Sequence, residues 1–330
     1  VFIISGLATA FSLKNWLILM AFSISDFLVI SFLPFVKISF GRTNSQALLL
    51  FILRIPFIWL PYPWNLVTQL VGTLLVLAGF YYEPSMIKLT RLEVFKEGLE
   101  KPFKFIHLSD LHLEKFGVRE KKLLQLVKQI RPEFIVFTGD FLNLSYLNDQ
   151  KAIDDVIIFF NQINQVSPLY FVTGSPAVDI ESTVDIIEKG VQANHLKNKA
   201  IQIGTPPFVN LIGLECTHQP HLDIRNLENL SVKNMLNILL YHSPDLIYEL
   251  TKEYDIDIML SGHTHGGQVR LPFFGAIFTG SLYGRKLQKG LYKYENILLY
   301  ISRGIGLEGL GAPRIRFLCP PELILWQINN

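Results

Sequence analysis

Long apolar runs dominate the first 82 residues of the chain. Trp16–Val36 is a 21-residue run with one charged residue, and Trp64–Tyr82 is a second run with none. Each is about as long as a helix that crosses a bilayer. The shorter run Ala47–Leu60 contains a proline and fits a tilted span or a re-entrant segment, while Val1–Leu13 fits the end of a further span. The pattern predicts an all-α transmembrane region of three or four spans.

Charged residues are rare in this segment, which has only Lys14, Asp26, Lys37, Arg42 and Arg54. A water-facing surface normally carries many more, so a bundle of soluble core helices is disfavoured. Asp26 and Arg54 fall near the middle of apolar runs, where a lone charge costs at least ~2.5 kcal/mol on insertion scales. We therefore expect them to pair across two helices, unless Arg54 extends to an interface.

Basic residues beside membrane spans predict the orientation of the chain. Lys37 and Arg42 share one connecting segment without an acidic residue, and Lys88, Arg91 and Lys96 follow the last run. With four spans, both basic segments lie on the same side, which should be the cytoplasm. A re-entrant third run would break this agreement. The pattern thus favours a multi-pass membrane protein with a cytoplasmic domain after the spans, at the inner membrane if the source is bacterial.

The pattern changes after a mixed-charge segment, 83–101, which we predict to be a linker. Residues 102–330 then form one domain in which short apolar runs alternate with helical spacing. Strands are predicted at Phe103–Leu108, Phe134–Phe137, Leu169–Val172, Val209–Leu214, Ile238–Tyr241 and Ile256–Leu260. Helices are predicted at Arg119–Ile130, Ile153–Ile163, Val184–Glu188 and Asp245–Lys252. The remainder is β-rich, which indicates a layered α/β domain with two packed sheets.

Composition narrows the function of this domain. Residues 83–330 carry 26 basic and 27 acidic residues without a basic run, so nucleic-acid binding is disfavoured. The two cysteines, Cys216 and Cys319, form no CxxC pattern, which argues against a disulfide scaffold or a zinc finger.

Metal-type side chains follow four of the predicted strands. The segment Leu260–Val269 has the sequence LSGHTHGGQV, with His263 and His265 beside glycines that permit tight turns and close approach to a ligand. The other loops carry Asp110, His112, Asp140 and His242. Carboxylate and imidazole together suit borderline divalent ions such as Mn, Fe, Zn, Co or Ni. A single histidine of this kind would more often be structural, but the whole set predicts a metal site able to support phosphoryl transfer.

At these residues the chain resembles the calcineurin-like metallophosphoesterases, and Gly266-Gly267-Gln268 and Ser302–Gly306 resemble their membrane-associated branch. The resemblance implies a four-layer αββα sandwich that binds two divalent ions, with Mn²⁺ the first expectation. Asp110, His112, Asp140 and His265 would hold the first ion, while Asp140 as a bridge, His242 and His263 would hold the second. The resemblance further implies that Asp110, Asp140 and His263 act in catalysis. Some members of that branch cleave the pyrophosphate of UDP-2,3-diacylglucosamine in lipid A synthesis.

One loop departs from the family pattern. The usual Gly-Asn-His motif is replaced by Gly174-Ser175-Pro176-Ala177, so Ser175 is a poor substitute for the second-metal ligand and Pro176 moves no proton. Either catalysis is weakened and the domain is a metal-binding sensor or scaffold, or the substrate needs little acid assistance. A phosphoanhydride leaving group is already a stable anion, so the departure favours a pyrophosphate bond. A histidine from a loop could instead supply the proton: His195, His218 or His221.

The sequence therefore predicts a membrane-anchored phosphohydrolase in which hydroxide activated by the metal ions attacks phosphorus in a lipid-linked substrate. Arg303 and Arg314 are candidate phosphate-binding residues, although salt bridging is the commoner role of arginine. Asp179 lies near the altered loop, where it fits a residue at a helix start, and His107 fits a structural role within a strand. No protein partner is indicated.

Overall fold

In the computed structural model, the described residues are 12–36, 43–99, 101–204, 207–307 and 314–330. The chain divides into two compact units. The helical unit comprises residues 1–84 with 309–316, and the α/β unit comprises residues 85–308 with 317–330. Lys37, Arg42 and most of the predicted run Val1–Leu13 lie outside the described residues.

Helices form the described part of the helical unit. They are α1 (Leu13–Val36), α2 (Thr43–Arg54), continued by the 3₁₀ helix Ile55–Trp59, and α3 (Trp64–Leu77), continued by the π-helical turn Ala78–Tyr82 and the 3₁₀ turn Glu83–Ser85. Residues 13–32 and 64–85 are long and apolar enough to cross a membrane by length and composition, and the apolar helix 44–59 is shorter. The predicted number of spans stays a prediction.

The expected pair of buried charges forms within the helical unit. The Arg54 guanidinium donates to both carboxylate oxygens of Asp26, from Nε at 2.6 Å and from Nη2 at 2.6 Å. Both side chains are buried, so the alternative in which Arg54 extends to an interface is wrong. Two charges that would each be costly to bury alone are thus joined by a bidentate contact between α1 and α2.

Two six-stranded mixed sheets form the centre of the α/β unit. The strands of the first are β1 (Lys88–Phe95), β2 (Phe103–Leu108), β3 (Phe134–Thr138), β4 (Leu169–Val172), β5 (Asn194–His195) and β14 (Glu322–Asn329). Their order in the sheet is β1-β14-β2-β3-β4-β5, in which β2 to β5 run parallel and β14 is antiparallel to β2.

The second sheet has the order β12-β13-β9-β8-β7-β6, with β7, β8, β9 and β13 parallel. Its strands are β6 (Lys199–Gly204), β7 (Pro207–Gly213), β8 (Leu236–Leu240), β9 (Ile258–Ser261), β12 (Gly290–Tyr294) and β13 (Ile297–Ile301). A separate hairpin of β10 (Arg270–Leu271) and β11 (Gly275–Ala276) follows β9.

The two sheets pack face to face through apolar side chains that alternate along their strands. Phe105, Phe134 and Trp326 of the first sheet share one buried cluster with Ile238 and Leu260 of the second. The outer face of the first sheet is covered by α4 (Val118–Ile130), α5 (Gln150–Asn164) and α6 (Glu181–Gly190). Short helical turns, including α7 (Pro220–Asp223) and Pro244–Tyr248, lie on the outer face of the second sheet. The predicted α/β class with two packed sheets is confirmed.

Two segments differ from the sequence-based expectations. The predicted linker 83–101 contains β1, which pairs in parallel with β14 over eight residues from Lys88 to Phe95. Its pattern of charged and apolar residues is that of an edge strand with one exposed face. The predicted helix Asp245–Lys252 is replaced by two short 3₁₀ turns, Pro244–Tyr248 and Lys252–Tyr254. Pro244 starts the first turn, and Thr251 has an extended conformation between them.

Candidate metal centre

All six predicted metal ligands lie in loops at the carboxyl ends of parallel strands. Asp110 and His112 follow β2, Asp140 follows β3, and the three remaining histidines, His242, His263 and His265, follow β8 and β9. Because β2 and β3 are neighbours in one sheet and β8 and β9 in the other, the loops converge at one end of the sandwich. The ligand types were readable from sequence, and their convergence is a consequence of the fold.

Four of these side chains form one compact group. Donor atoms of Asp110, His112, Asp140 and His265 all lie within 4.8 Å of one another, and all four residues are buried. His112 Nε2 lies 3.0 Å from His265 Nε2 and 3.4 Å from an Asp140 oxygen. His265 Nε2 lies 3.5 Å from an Asp110 oxygen. The structure therefore brings together the residues predicted for the first ion.

The residues predicted for the second ion adjoin this group through Asp140. His242 Nε2 lies 3.4 Å from the same Asp140 oxygen, Oδ2, that faces His112. Ser175 Oγ lies 3.2 Å from His242 Nε2 and 3.3 Å from His263 Nδ1. Ser175, the weak ligand at the altered motif, thus lies between the two histidines.

Backbone carbonyls select the nitrogen that each of these two histidines presents. His242 Nδ1–H donates to Thr138 O at 2.6 Å, which directs the other ring nitrogen, Nε2, toward Asp140. His263 Nε2–H donates to Gly280 O at 3.1 Å, which leaves the Nδ1 lone pair facing Ser175. Metal-binding histidines generally donate their other N–H in this way, because that bond fixes the ring and its tautomer.

The chemistry of this donor set fits divalent metal. Carboxylate oxygens and imidazole nitrogens converge from several directions, and two imidazole Nε2 atoms face each other at 3.0 Å. Such a contact needs a proton or a cation between its two lone pairs. Mixed oxygen and nitrogen donors without a thiolate suit the borderline ions rather than Ca²⁺ or Cu⁺.

Five of the six ligand residues have a left-handed backbone conformation: Asp110, His112, Asp140, His263 and His265 have φ between 39° and 68°. This conformation is uncommon for residues other than glycine and costs free energy, so its repetition marks a built site. Gly174 supports it, since a Cβ there would overlap the Asp140 carboxylate. A Cβ on Gly262 would similarly overlap Asp110.

Asp179 holds the backbone of Asp140 in place, a role that the sequence did not reveal. Its carboxylate accepts from the backbone N–H groups of Asp140, Phe141 and Gly174 at 2.8, 2.9 and 2.6 Å. Burial raises the pKa of Asp179 to about 7, with Asp140 adding to the effect. The residue predicted only to begin a helix therefore ties together two loops of the site, and no sequence signal beyond its place near the altered loop could have shown this.

Electrostatics distinguish the two carboxylates of the four-residue group. Burial raises the pKa of Asp110, and the neighbouring Asp140 charge acts in the same direction. Burial alone would also raise the pKa of Asp140, but the imidazoles of His242, His112 and His263 hold it well below its usual range. Burial and His242 lower the pKa of His263 to about 3. The position of Asp140 among these histidines thus favours an ionised carboxylate.

Of the three histidines considered as alternative proton sources, His218 alone contacts the site. Its ring centroid lies 4.6 Å from that of His263 and 6.4 Å from that of His242. His195 instead stacks on Phe171 and lies 3.2 Å from a carboxylate oxygen of Glu188. His221 is exposed on α7, so the geometry singles out His218.

Three further predicted residues have structural contacts. His107 is buried in β2, with its Nε2 2.9 Å from Thr138 Oγ1, in agreement with the structural role expected. Arg303 donates from Nη2 to the buried carboxylate of Glu322 at 2.5 Å. Arg314 is buried and belongs to the helical unit. Phosphate binding by Arg303 or Arg314 stays a prediction.

Comparison with known proteins supports the metal chemistry. No family model matches the chain. The metallophosphoesterase YkoQ of Bacillus subtilis is 30% identical over 244 residues, which cover 71% of this chain and 87% of YkoQ. The chain belongs to the metallophosphoesterases. A second metallophosphoesterase of Bacillus subtilis, YkuE, is 27% identical over 264 residues, covering 76% of this chain and 88% of YkuE.

A third relative carries a more specific name. The UDP-2,3-diacylglucosamine pyrophosphatase LpxG of Chlamydia muridarum is 26% identical over 311 residues, which cover 75% of this chain and 91% of that protein. The predicted enzyme class is confirmed: this metallophosphoesterase is a metal-dependent hydrolase of phosphoester-type bonds.

Proposed function

We propose that this metallophosphoesterase is a membrane-anchored pyrophosphatase that cleaves the phosphoanhydride of a lipid-linked substrate, of the UDP-2,3-diacylglucosamine class named for LpxG. The observation that carries the proposal is the convergence of Asp110, His112, Asp140 and His265 on one point, with His242 and His263 joined to it through Asp140. We further propose that the site binds two divalent ions, with Mn²⁺ the first candidate. The fold proposed for the α/β unit is a four-layer αββα sandwich. The helices 13–32 and 64–85 would hold the enzyme at the bilayer, with the α/β unit in the cytoplasm.

When bound, the ions would supply Lewis acidity and charge stabilisation in phosphoryl transfer. The protein residues set where that chemistry takes place. Asp110, His112, Asp140 and His265 would hold one ion, and Asp140, His242 and His263 the other, with Ser175 Oγ beside it. Asp179 keeps the Asp140 backbone in place through three N–H donors.

The residues around the second position favour a good leaving group. Pro176 has no proton to give where relatives of this type usually have histidine, and general acid assistance is typically worth 10²–10⁴-fold in rate. A nucleotide or sugar phosphate leaves a phosphoanhydride as a stable anion, whereas an alkyl phosphate would expel an alkoxide. Loss of the acid therefore costs least for a pyrophosphate bond. His218, whose ring lies next to that of His263, would be the imidazole that holds a proton near the departing group.

Hydrolysis of an activated diester tests the catalytic assignment. The purified full-length chain in detergent with added Mn²⁺ should hydrolyse bis(p-nitrophenyl) phosphate, and Asp140→Asn should lose that activity. Asp185→Asn removes an exposed carboxylate of α6 and should leave it unchanged. Metal binding by the parent without turnover would contradict the proposal and support the alternative, a sensor or scaffold with the weakened Ser175-Pro176 loop.

A substrate comparison tests the bond type. Initial rates on UDP-2,3-diacylglucosamine and on a simple alkyl phosphomonoester should differ strongly in favour of the former, by at least the roughly 10²-fold that a general acid contributes. Equal rates, or a preference for the alkyl ester, would overturn the pyrophosphatase assignment while leaving the phosphoesterase assignment intact.

A further inference from the structure

A cluster of exposed apolar side chains lies beside the candidate metal centre, in the segment that contains β10 and β11. We call residues 271–283 the apolar loop. Seven of its large apolar side chains are at least one-third exposed: Leu271, Phe273, Phe274, Ile277, Phe278, Leu282 and Tyr283. Phe273 is fully exposed, Phe278 is 76% exposed, and Leu282 is 71% exposed. Soluble proteins rarely expose a contiguous apolar patch of this kind without a partner for it.

Polar contacts help to hold the loop in this conformation. Asp245 accepts from Ser281 Oγ at 2.5 Å and from Leu282 N at 2.9 Å. Gln288 Oε1 accepts from Ala276 N at 3.0 Å. Ala276 is buried while its neighbour Ile277 is exposed, so the backbone is fixed and the large side chains are directed outward. The exposure is therefore a property of the fold of this segment.

Within the local sequence, the charged residues in and beside the loop are all basic, although the buried carboxylate of Asp245 contacts its far end. No acidic residue occurs between Asp257 and Glu295, whereas five basic residues do: Arg270, Arg285, Lys286, Lys289 and Lys293. Arg285 lies over the Phe274 ring, with its guanidinium carbon 4.0 Å from the ring centroid. Apolar and aromatic side chains bordered by basic ones are typical of segments that enter the interface of an anionic bilayer.

We infer that the apolar loop inserts into the surface of a bilayer containing anionic lipid, as a contact separate from the helical unit. A bilayer offers apolar depth and negative headgroups together, which matches both features of the loop. A second copy of the chain fits less well, because a symmetric contact would bring the basic residues of two loops together. The chain also carries two helices able to cross a bilayer, which would keep a bilayer close to the loop.

The loop is connected to the metal centre. Gly280, between Phe278 and Ser281, accepts from His263 Nε2, and a Cβ at Gly280 would lie 2.8 Å from that nitrogen. Insertion of the loop would therefore place the site at the height of lipid headgroups, where a lipid-linked phosphate lies. This step rests on the proposed function, whereas insertion itself does not require that the enzyme turn over.

Depth-dependent quenching tests the insertion. The full chain is placed in nanodiscs of phosphatidylglycerol and phosphatidylcholine, one copy per disc, with an environment-sensitive fluorophore on Phe278→Cys. The native Cys216 and Cys319 are buried. Fluorophore that attaches to these two cysteines is measured on the parent chain, which lacks the introduced cysteine. Nitroxide groups on the lipid acyl chains should lower the emission about two-fold or more, because interfacial segments bury ~5–10 Å into the bilayer. A label on Val118→Cys, an 83% exposed apolar position at the start of α4, should not be quenched.

Each of three outcomes would overturn the inference. One is equal quenching, or none, at the two labelled positions. Another is quenching of Phe278→Cys only when several copies share a disc, which would show that a second copy covers the loop. Quenching that needs added lipid-linked substrate would also overturn it, in favour of an acyl-chain contact with the substrate alone.

A matched pair of charge variants separates this inference from the proposed function. Phe278→Asp should lower hydrolysis of lipid-linked pyrophosphate in anionic discs by about ten-fold or more, while hydrolysis of soluble bis(p-nitrophenyl) phosphate stays at the parent rate. Val118→Asp should change neither rate. Failure of the parent to hydrolyse either compound would contradict the proposed function but leave the quenching result to decide on insertion.

Discussion

The helical unit and the α/β unit each bury a cluster of charged side chains, and the two clusters are built differently. In the helical unit, the five N–H donors of Arg54 make five hydrogen bonds, to Asp26, Gln69 and Thr73. In the α/β unit, carboxylate oxygens and imidazole nitrogens converge on one point, and the Nε2 atoms of His112 and His265 face each other at 3.0 Å; we call this arrangement open. A closed network stabilises a fold, whereas an open one needs a ligand.

This difference teaches which buried charges indicate function. Burial alone does not, because Asp26 and Asp140 are equally buried. Function is indicated instead by the backbone conformation and by the direction of the ring nitrogens. The open cluster has left-handed residues and histidine rings fixed by hydrogen bonds to carbonyl groups. The comparison predicts that removing one member has opposite consequences in the two clusters.

The largest effect is expected in the closed cluster. Asp26→Asn should destabilise the chain by about 3–5 kcal/mol, because it leaves the Arg54 charge buried without its partner. Arg54→Gln added to that variant should cost little more. Thermal unfolding in detergent measures both, and Asp185→Asn is the control for an exposed carboxylate. Losses that simply add would show that the pair contributes no coupling energy.

The open cluster should lose stability when metal is removed. Chelation should destabilise the parent by about 2.7 kcal/mol relative to a free metal concentration of ~100 Kd, because the ion binds only the folded chain. Asp110→Asn should abolish that response.

The same variant should also stabilise the metal-free chain, by about 0.5–2 kcal/mol, since it relieves repulsion between two buried carboxylates. Burial and Asp140 both raise the pKa of Asp110, which is the sign of that repulsion. Unfolding of the chelated proteins measures the change, and a less stable metal-free Asp110→Asn would show that the cluster is closed after all.

A smaller effect is expected from the residue that positions the bridge. Asp179→Asn should lower kcat about 10–100-fold, as is usual for residues that orient metal ligands, because the amide cannot accept equally from three backbone N–H groups. The concentration of metal needed for half-maximal activity should rise with it. An unchanged kcat would place Asp179 outside the function of the site.

One substitution should strengthen metal binding at the second position. Ser175→Asn restores an amide oxygen between His242 and His263, and should lower the metal concentration for half-maximal activity about ten-fold. The matched control is Ser182→Asn, at an exposed position of α6. Weaker metal dependence on introducing Asn would show that this loop does not serve the second ion.

The smallest effect is expected at His218. His218→Gln should lower turnover of an alkyl ester several-fold more than turnover of a pyrophosphate, because only the former needs a proton on its leaving group. Equal effects on both substrates would assign His218 to binding rather than to proton transfer.

Much of the chemistry was predictable from sequence because it depends on local patterns. Long uniform apolar runs predicted the helices of the helical unit. Short apolar runs followed by Asp110, Asp140 or His242 predicted strands with metal ligands after them, because polar residues after buried strands fall in loops. The pairing of Asp26 with Arg54 followed from the cost of a lone charge among apolar residues.

Other features depended on contacts between distant segments, which no local pattern encodes. Strand β1 was mistaken for a linker because an edge strand with one exposed face has an ordinary mixed composition. Asp179 was mistaken for a helix-start residue because two of its three donors, the backbone N–H groups of Asp140 and Phe141, come from a distant loop. The proximity of His218 to His263, and not of His195, likewise arises only when the sheets pack.

The sequence by itself determined which residues could bind metal and where the chain is apolar enough for a bilayer, and its resemblance to a family indicated that Pro176 replaces a proton donor. Only the tertiary structure decided that Asp140 joins both ligand groups, that carbonyls of Thr138 and Gly280 fix the histidine tautomers, and that the apolar loop stays exposed. The reason is physical: residue type fixes which donor atoms are available, but the packing of two sheets fixes the distances between those atoms and the backbone angles that bring them together into a site.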